Sequence, residues 1–309
     1  MKLFIIISFI ISSFGGNRPT LAEKVIGLFK ENKVVVLGET HRIQQEYDFV
    51  KQLLVKTPAA EVDLFAMELL DFRQQHLIDS FMNTASYNKA LAKAIIFKSK
   101  PDWVYQEYTS LLHTCWKIKQ RNKHFKLLAL GYRLDYHQKN PEYLGDKDSI
   151  MCQNICPYLG EHKALILVGA NHAFTKFHQK TPGGRKVIRF GNLLYENYET
   201  TKSIRLNPLF KDCGNNFFIN PLANHNNSLF LSAHDIVLAN TTIKKPTITG
   251  CKSTTLHKLY DGYLFLDDVK SMKTATVDSV FYSNHMDSID AFFGQPLDSL
   301  NKYNDYMQK

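Results

Sequence analysis

Val34-Val35-Val36-Leu37-Gly38-Glu39-Thr40-His41 is the stretch on which the fold turns. Four apolar residues in a row leave no alternate position to face water, which suits a strand covered on both faces, as in a parallel sheet. Three further runs share this texture: Leu64-Phe65-Ala66-Met67, Leu127-Leu128-Ala129-Leu130 and Ala164-Leu165-Ile166-Leu167-Val168. Between the runs, apolar residues recur at helical spacing. Tyr47, Val50, Leu53 and Leu54 follow the first run, and Phe72, Leu77, Ile78 and Phe81 follow the second. Val104, Tyr108, Leu111, Leu112 and Cys115 precede the third. The gap from Phe81 to Lys126 has room for two or more helices, and another is predicted over Ser149 to Tyr158. Strands alternating with helices predict an α/β fold, with a central mainly parallel sheet flanked by helices and right-handed crossovers.

After Gly183 the texture changes. Val187-Ile188-Arg189-Phe190, Ser203-Ile204-Arg205-Leu206, Leu229-Phe230-Leu231 and Tyr263-Leu264-Phe265-Leu266 read as additional shorter strands among loops. The stretch from Asp212 to Asn227, rich in Asn and Gly, reads as loop. No repeat or composition break calls for a second domain. A single α/β domain over residues 17–309 is expected, with a motif-bearing core at about 30–206 and a C-terminal elaboration over 207–309.

A chain of 309 residues, 44% apolar and 22% charged, can bury a sizeable core without disulfides. Its formal charge of +9 would favour anionic partners, but the basic residues, among them Lys98, Lys100, Lys244 and Lys245, are scattered. Without a dense run or a nucleic-acid motif, a solvated surface is expected and no nucleic-acid partner. The opening MKLFIIISFIISSFGG carries Lys2, an apolar stretch from Leu3 to Phe14 and small residues ending at Gly16. That layout predicts a secretory signal peptide over residues 1–16 and an exported protein, periplasmic or extracellular. The apolar stretch is shorter than the roughly 20 residues of a membrane span, and no later segment reaches that length, so no transmembrane segment is expected in the mature chain. Export would permit disulfides, but five cysteines leave at least one unpaired within the chain. Cys152 and Cys156, four apart on one helix face, read as small buried residues.

The chemistry gathers where the apolar runs end. The first ends in Gly38-Glu39-Thr40-His41, the second in Glu68, the third in Gly131-Tyr132-Arg133-Leu134-Asp135, the fourth in Gly169-Ala170-Asn171-His172. Open parallel sheets bind ligands outside the carboxyl ends of their strands. If the runs are neighbours, Glu39, His41, Glu68 and His172 converge as candidate catalytic residues, with Arg133, Asp135 and Asn171 placed to bind substrate. A carboxylate beside a histidine gives an acid and a base near neutral pH. Two histidines and two carboxylates could equally hold a divalent metal that activates water. The GxSxG elbow, HExxH, Walker loop, GxGxxG and CxxC are all absent, which disfavours the usual serine hydrolases, zincins, nucleotide enzymes and thiol oxidoreductases.

At these residues the chain resembles a superfamily of three groups: ChaN-like haem-binding uptake proteins, erythromycin-esterase-like hydrolases and Tiki/TraB metallopeptidase relatives. Gly38-Glu39-Thr40-His41 is similar to its G-E-x-H opening, and Met67-Glu68 with Gln75, Leu77, Ile78 and Asp79 to a following "mE…Q…ld" stretch. Trp103 and Tyr108 match a W…Y pair. Asp148-Ser149-Ile150-Met151 with Asn154 is similar to an "RD..Ma.N" helix, with Lys147 in place of the usual arginine. Gly169-Ala170-Asn171-His172-Ala173 resembles the closing "G.gHa" motif. The matches run from about Val34 to Phe174. In the hydrolase branches the resemblance implies catalysis by Glu39, His41, Glu68 and His172 on an ester or amide bond of a small-molecule or peptide substrate. In the ChaN-like branch it implies haem binding without a reaction.

Overall fold

The computed structural model describes residues 19–132, 147–160, 162–180 and 184–208, and beyond them 210–211, 218–219, 228–231, 238, 240–247, 250–267 and 271–285. The segment expected to be a signal peptide, and Arg133 and Asp135, lie outside the described residues, as does most of Asp212 to Asn227.

All four apolar runs are strands: β1 (Val34–Glu39), β2 (Val62–Asp71), β3 (Lys126–Gly131) and β4 (Lys163–Gly169). They lie side by side in the order β1-β4-β2-β3, all parallel. Strand geometry then splits each run between two cores, because successive side chains point to opposite faces. Val35, Leu37, Phe65, Met67, Leu127, Ala129, Leu165 and Leu167 enter one core. Val34, Val36, Leu64, Ala66, Leu128, Leu130, Ala164 and Ile166 enter the other.

The first core is roofed by α1 (Leu21–Gly27), α2 (Gln44–Lys56), α3 (Gln75–Met82), α4 (Lys89–Ser99) and α5 (Gln106–Arg121). The stripes expected around Tyr47 and Tyr108 are their buried faces. The second core is covered by α6 (Lys147–Leu159) and α7 (Phe190–Asn197). On α6, Cys152 is buried, as expected, whereas Cys156 is only half-buried. Among the described residues, no helix is long and apolar enough to cross a membrane.

One expectation for the later chain changes. Val187 to Phe190 is not one strand: β5 (Gln179–Lys180) and β6 (Lys186–Val187) form a short hairpin, and Phe190 opens α7. Phe190 N–H donates to Asp148 Oδ1 at 2.7 Å and Arg189 N–H to Asn192 Oδ1 at 2.8 Å, so the helix start finds acceptors that a strand would not need. The strand expected over Ser203 to Leu206 is β7 (Thr201–Leu206), which pairs parallel to β1 with Gly38 opposite Arg205. Further along, β8 (Phe210–Lys211) pairs with β9 (Phe218–Ile219), and β11 (Thr242–Thr247) with β12 (Gly250–Thr255), apart from the central sheet. β13 (Gly262–Phe265) adds in parallel beyond β7, and β10 (Ser228–Leu231) closes that edge antiparallel. Among the described residues the sheet therefore holds seven strands, six of them parallel.

At the other edge, Gln75 serves β3 as a surrogate strand: its amide donates to Leu127 O at 3.0 Å and accepts from Ala129 N–H at 2.9 Å. Where β2 meets β3 the register shifts between Met67 and Asp71, and the displaced backbone crowds β3. A Cβ on Gly131 would stand 1.9 Å from Glu68 O. Gly131→Ala is expected to cost roughly 1–3 kcal/mol by overpacking, read as a lower urea midpoint with an unchanged m-value.

Candidate functional site

β1 and β4 are neighbours, yet the chain leaves them for opposite faces of the sheet: α2 follows β1 into the first core, while the turn Ala170–Ala173 and α7 follow β4 into the second. Such a divergence opens a crevice at the carboxyl ends of the strands. Glu39 and Gly169 end β1 and β4 there, and Glu68 follows Met67, the last residue of β2 paired with β4.

Glu68, 3% exposed, is the centre of the cluster. Its Oε2 accepts the Gly169 N–H at 2.7 Å, and its Oε1 is ion-paired with Lys147 Nζ. His172 Nε2 lies 3.6 Å from the same Oε1. Burial opposes ionisation of Glu68, but the charges of Lys147, His172, His41 and Lys100 outweigh it and hold the carboxyl well below its ordinary range.

Two histidine–carboxylate pairs flank this carboxylate. His41 Nδ1 lies 2.9 Å from Glu39 Oε1, and His172 Nδ1 lies 2.5 Å from Asp148 Oδ1. An ionised carboxylate only accepts, so each Nδ1 carries the proton and each Nε2 is left free to exchange one. The Asp148 carboxyl is disfavoured as an anion by burial, yet the His172 hydrogen bond and charge, the Phe190 N–H and Arg189 bring its pKa below the usual value. A Cβ built on Gly169 would stand 2.8 Å from His41 Nε2 and 3.4 Å from Glu68 Oε2. The glycine is therefore what allows His41 to approach Glu68.

The surrounding side chains hold these groups in place. Arg205, buried in β7, donates to Gly38 O at 2.8 Å and to Thr40 Oγ1 at 2.5 Å, clamping the turn after β1. Thr40 N–H donates to Glu46 Oε2 at 2.8 Å, and burial pushes the Glu46 carboxyl well above its ordinary pKa. The His41 ring packs on Trp103 with centroids 4.7 Å apart. Both lie on loops strapped by the segment around residues 273–278, through Ala275 N–H to Arg42 O at 2.7 Å and Asp278 N–H to Val104 O at 3.1 Å. Arg42, at a φ of 71°, reaches Asp102 Oδ2 at 3.3 Å.

The four residues expected to be catalytic, Glu39, His41, Glu68 and His172, are thus brought together. Asn171 is exposed in the turn beside His172. Residue reading missed Asp148 and Lys147 as site members, although both stand in the motif that resembles the superfamily's. It also missed Arg205 and Lys100 as site members, and Trp103, which stands in the W…Y pair that resembles the superfamily's. Among the described residues, no group of three or more His, Cys, Asp or Glu side chains is arranged to hold a metal ion. Lys147 supplies a positive charge against Glu68, where a divalent cation would otherwise be needed, so the donor set does not fit one.

Because their folded-state pKa values are depressed, Glu68 and Asp148 contribute stability that is complete above the ordinary carboxylate range, about pH 4, and is lost as pH falls through the lowered values. Lys147→Met is expected to cost roughly 1–3 kcal/mol at neutral pH, less than the about 3–5 of breaking a fully buried pair. It should also flatten the acid limb of stability, since Glu68 loses the strongest of the charges that lower its pKa. Urea titrations of both proteins at pH 3 and 7 check this; identical pH slopes would contradict the pairing.

Several solved structures share this architecture. A succinoglycan biosynthesis protein superposes with a TM-score of 0.59 at 10% identity, covering 85% of this chain and 94% of that one. An erythromycin esterase variant in its open conformation gives 0.56 at 10% identity, over 82% and 94%. A Bacillus cereus protein gives 0.50 at 11% identity, over 81% and 91%. No family model matches the chain, and no curated protein matches it by sequence. The chain has the fold of the erythromycin esterase structure, the fold that its strand-end motifs resemble.

Proposed function

We propose that the protein is an exported hydrolase that activates water on an ester or amide bond without a metal. The carrying observation is that two histidines, each oriented by its own carboxylate, flank one buried, ionised carboxylate: His172 Nε2 lies 3.6 Å from Glu68, and His41 Nε2 stands across the Cβ-less Gly169 from it. His41, with 36% of its side chain exposed, takes the proton from an incoming water while Glu39 steadies the imidazolium. His172, 17% exposed and braced by Asp148, enters the step with a proton on each ring nitrogen, gives the Nε2 proton to the leaving group, and regains one when His41 releases its own to solvent. Glu68, 3.6 Å from His172 Nε2 and coupled by charge to His41, stabilises positive charge on either ring. Lys147 keeps Glu68 ionised throughout.

Haem ligation, the other activity that the resemblance implies, needs an apolar slot around the ligating ring. Here the neighbourhood of Glu68 is set by Lys147, Lys100, His41 and His172, which favours a polar substrate.

Hydrolysis of nitrophenyl esters and of a mixed peptide panel, with and without Mn²⁺, Co²⁺ or Zn²⁺, tests the reading. His41→Ala and His172→Ala should each lower kcat by about 10²–10⁴-fold, and chelators should change nothing. Equal activity in wild type and both variants would remove the assignment. A shifted Soret band on adding haemin, with no hydrolysis, would replace it by the uptake reading.

A further inference from the structure

Of five cations around Glu39, Glu68 and Asp148 among the described residues, four have partners. Lys147 is held by Glu68, Arg42 by Asp102, Arg189 by Asp148 and Gln179, and Arg205 by Gly38 O and Thr40. Lys100 is the fifth. Among the described residues its ammonium makes no ion pair; it sits 3.8 Å from the centre of the Trp103 ring. Trp103 in turn packs on His41, so the ammonium is one aromatic ring away from the proposed base.

This placement follows from the fold. Asp71 N–H, at the end of β2, donates to Ser99 Oγ at 3.0 Å, pinning the end of α4 to the strand that carries Glu68. Lys100 is the next residue along the chain. Its charge is poorly accommodated there: burial, then the neighbouring Lys147, lower its pKa, while Glu68, Asp102 and Glu39 only partly compensate. A cation–π seat is weaker compensation than a hydrogen-bonded anion in a desolvated place. A half-buried ammonium that makes no ion pair among the described residues, set against the ring that packs on His41, is a receptor for a counter-ion.

We propose that Lys100 receives a negatively charged group, a carboxylate or a phosphate, carried by the molecule bound above Glu68. The substrate class is accordingly an anionic ester or amide, its charge set to the Trp103 side of the scissile bond. This rests on the hydrolase reading for its kinetic arm and is independent of it for its binding arm.

The kinetic arm compares two nitrophenyl esters of similar length, the glutarate monoester with a free carboxylate and the neutral valerate. The wild type should prefer the anionic ester. Lys100→Met should reduce that preference by about 10- to 100-fold, chiefly through KM, the loss of one charge-assisted hydrogen bond, and Lys100→Arg should restore most of it. An unchanged preference, or an equal loss on both esters, overturns the proposal; the latter would place Lys100 at the reacting centre instead. The binding arm titrates glutarate and, separately, inorganic phosphate into the full-length protein by calorimetry. Tighter glutarate binding identifies a carboxylate and tighter phosphate binding a phosphate ester, and either should weaken at least tenfold in Lys100→Met. Absence of saturable binding of both anions by the wild type overturns the proposal. Anion binding without hydrolysis of either ester retains Lys100 as the receptor and removes only the hydrolase reading.

Discussion

A carboxylate buried at the end of a parallel strand must find compensation, and Glu68 finds it from three directions. The Gly169 N–H arrives from β4, the Lys147 ammonium from the start of α6, and the His172 ring from the turn after β4. None of these is near Glu68 in the chain. Leaving an ionised carboxylate buried and unpaired would be among the costliest defects a core can carry. The arrangement of β1, β4 and β2 around Glu68 is therefore tied to the same contacts that make the site. Gly131, which must lack a side chain where β2 bulges, and Ser99, which holds the end of that bulge, belong to the same constraint.

The two histidines show how the fold turns placement into chemistry. Each is fixed at Nδ1 by a carboxylate from a different part of the molecule: Glu39 from the same turn, Asp148 from α6. Asp148 also accepts the Phe190 N–H at the start of α7 and faces Arg189, so one carboxylate couples the orientation of a ring to the seating of a helix. Arg205 does the equivalent for the turn after β1. Groups whose rotamers are locked in this way need little reorganisation when charge develops beside them, which is where enzymes gain most electrostatically. The strap around residues 273–278 extends this to Trp103, and through Trp103 to His41 and Lys100.

The buried strands and the strand-end residues were legible because both signals are local. Val34 to Leu37 reads as a doubly covered strand from four residues alone, and Glu39 and His41 stand out because charged groups follow it directly. The mistaken strand at Val187 to Phe190 had the same local texture. What made Phe190 the first residue of a helix was the acceptor on Asp148, some forty residues earlier. Ser203 to Leu206 was legible as a strand but not as the neighbour of β1, since register is a property of pairs.

The sequence by itself determined the alternation of strand and helix, the two-faced burial of the sheet, and which polar residues stand at its rim, because hydrophobic periodicity and chain adjacency are written in one dimension. Only the tertiary structure decided that β4 inserts between β1 and β2, that Lys147 stands against Glu68, and that Lys100 makes no ion pair among the described residues. Those outcomes rest on the desolvation of charge, which depends on what is packed around a group in space and leaves no mark on the order of the residues.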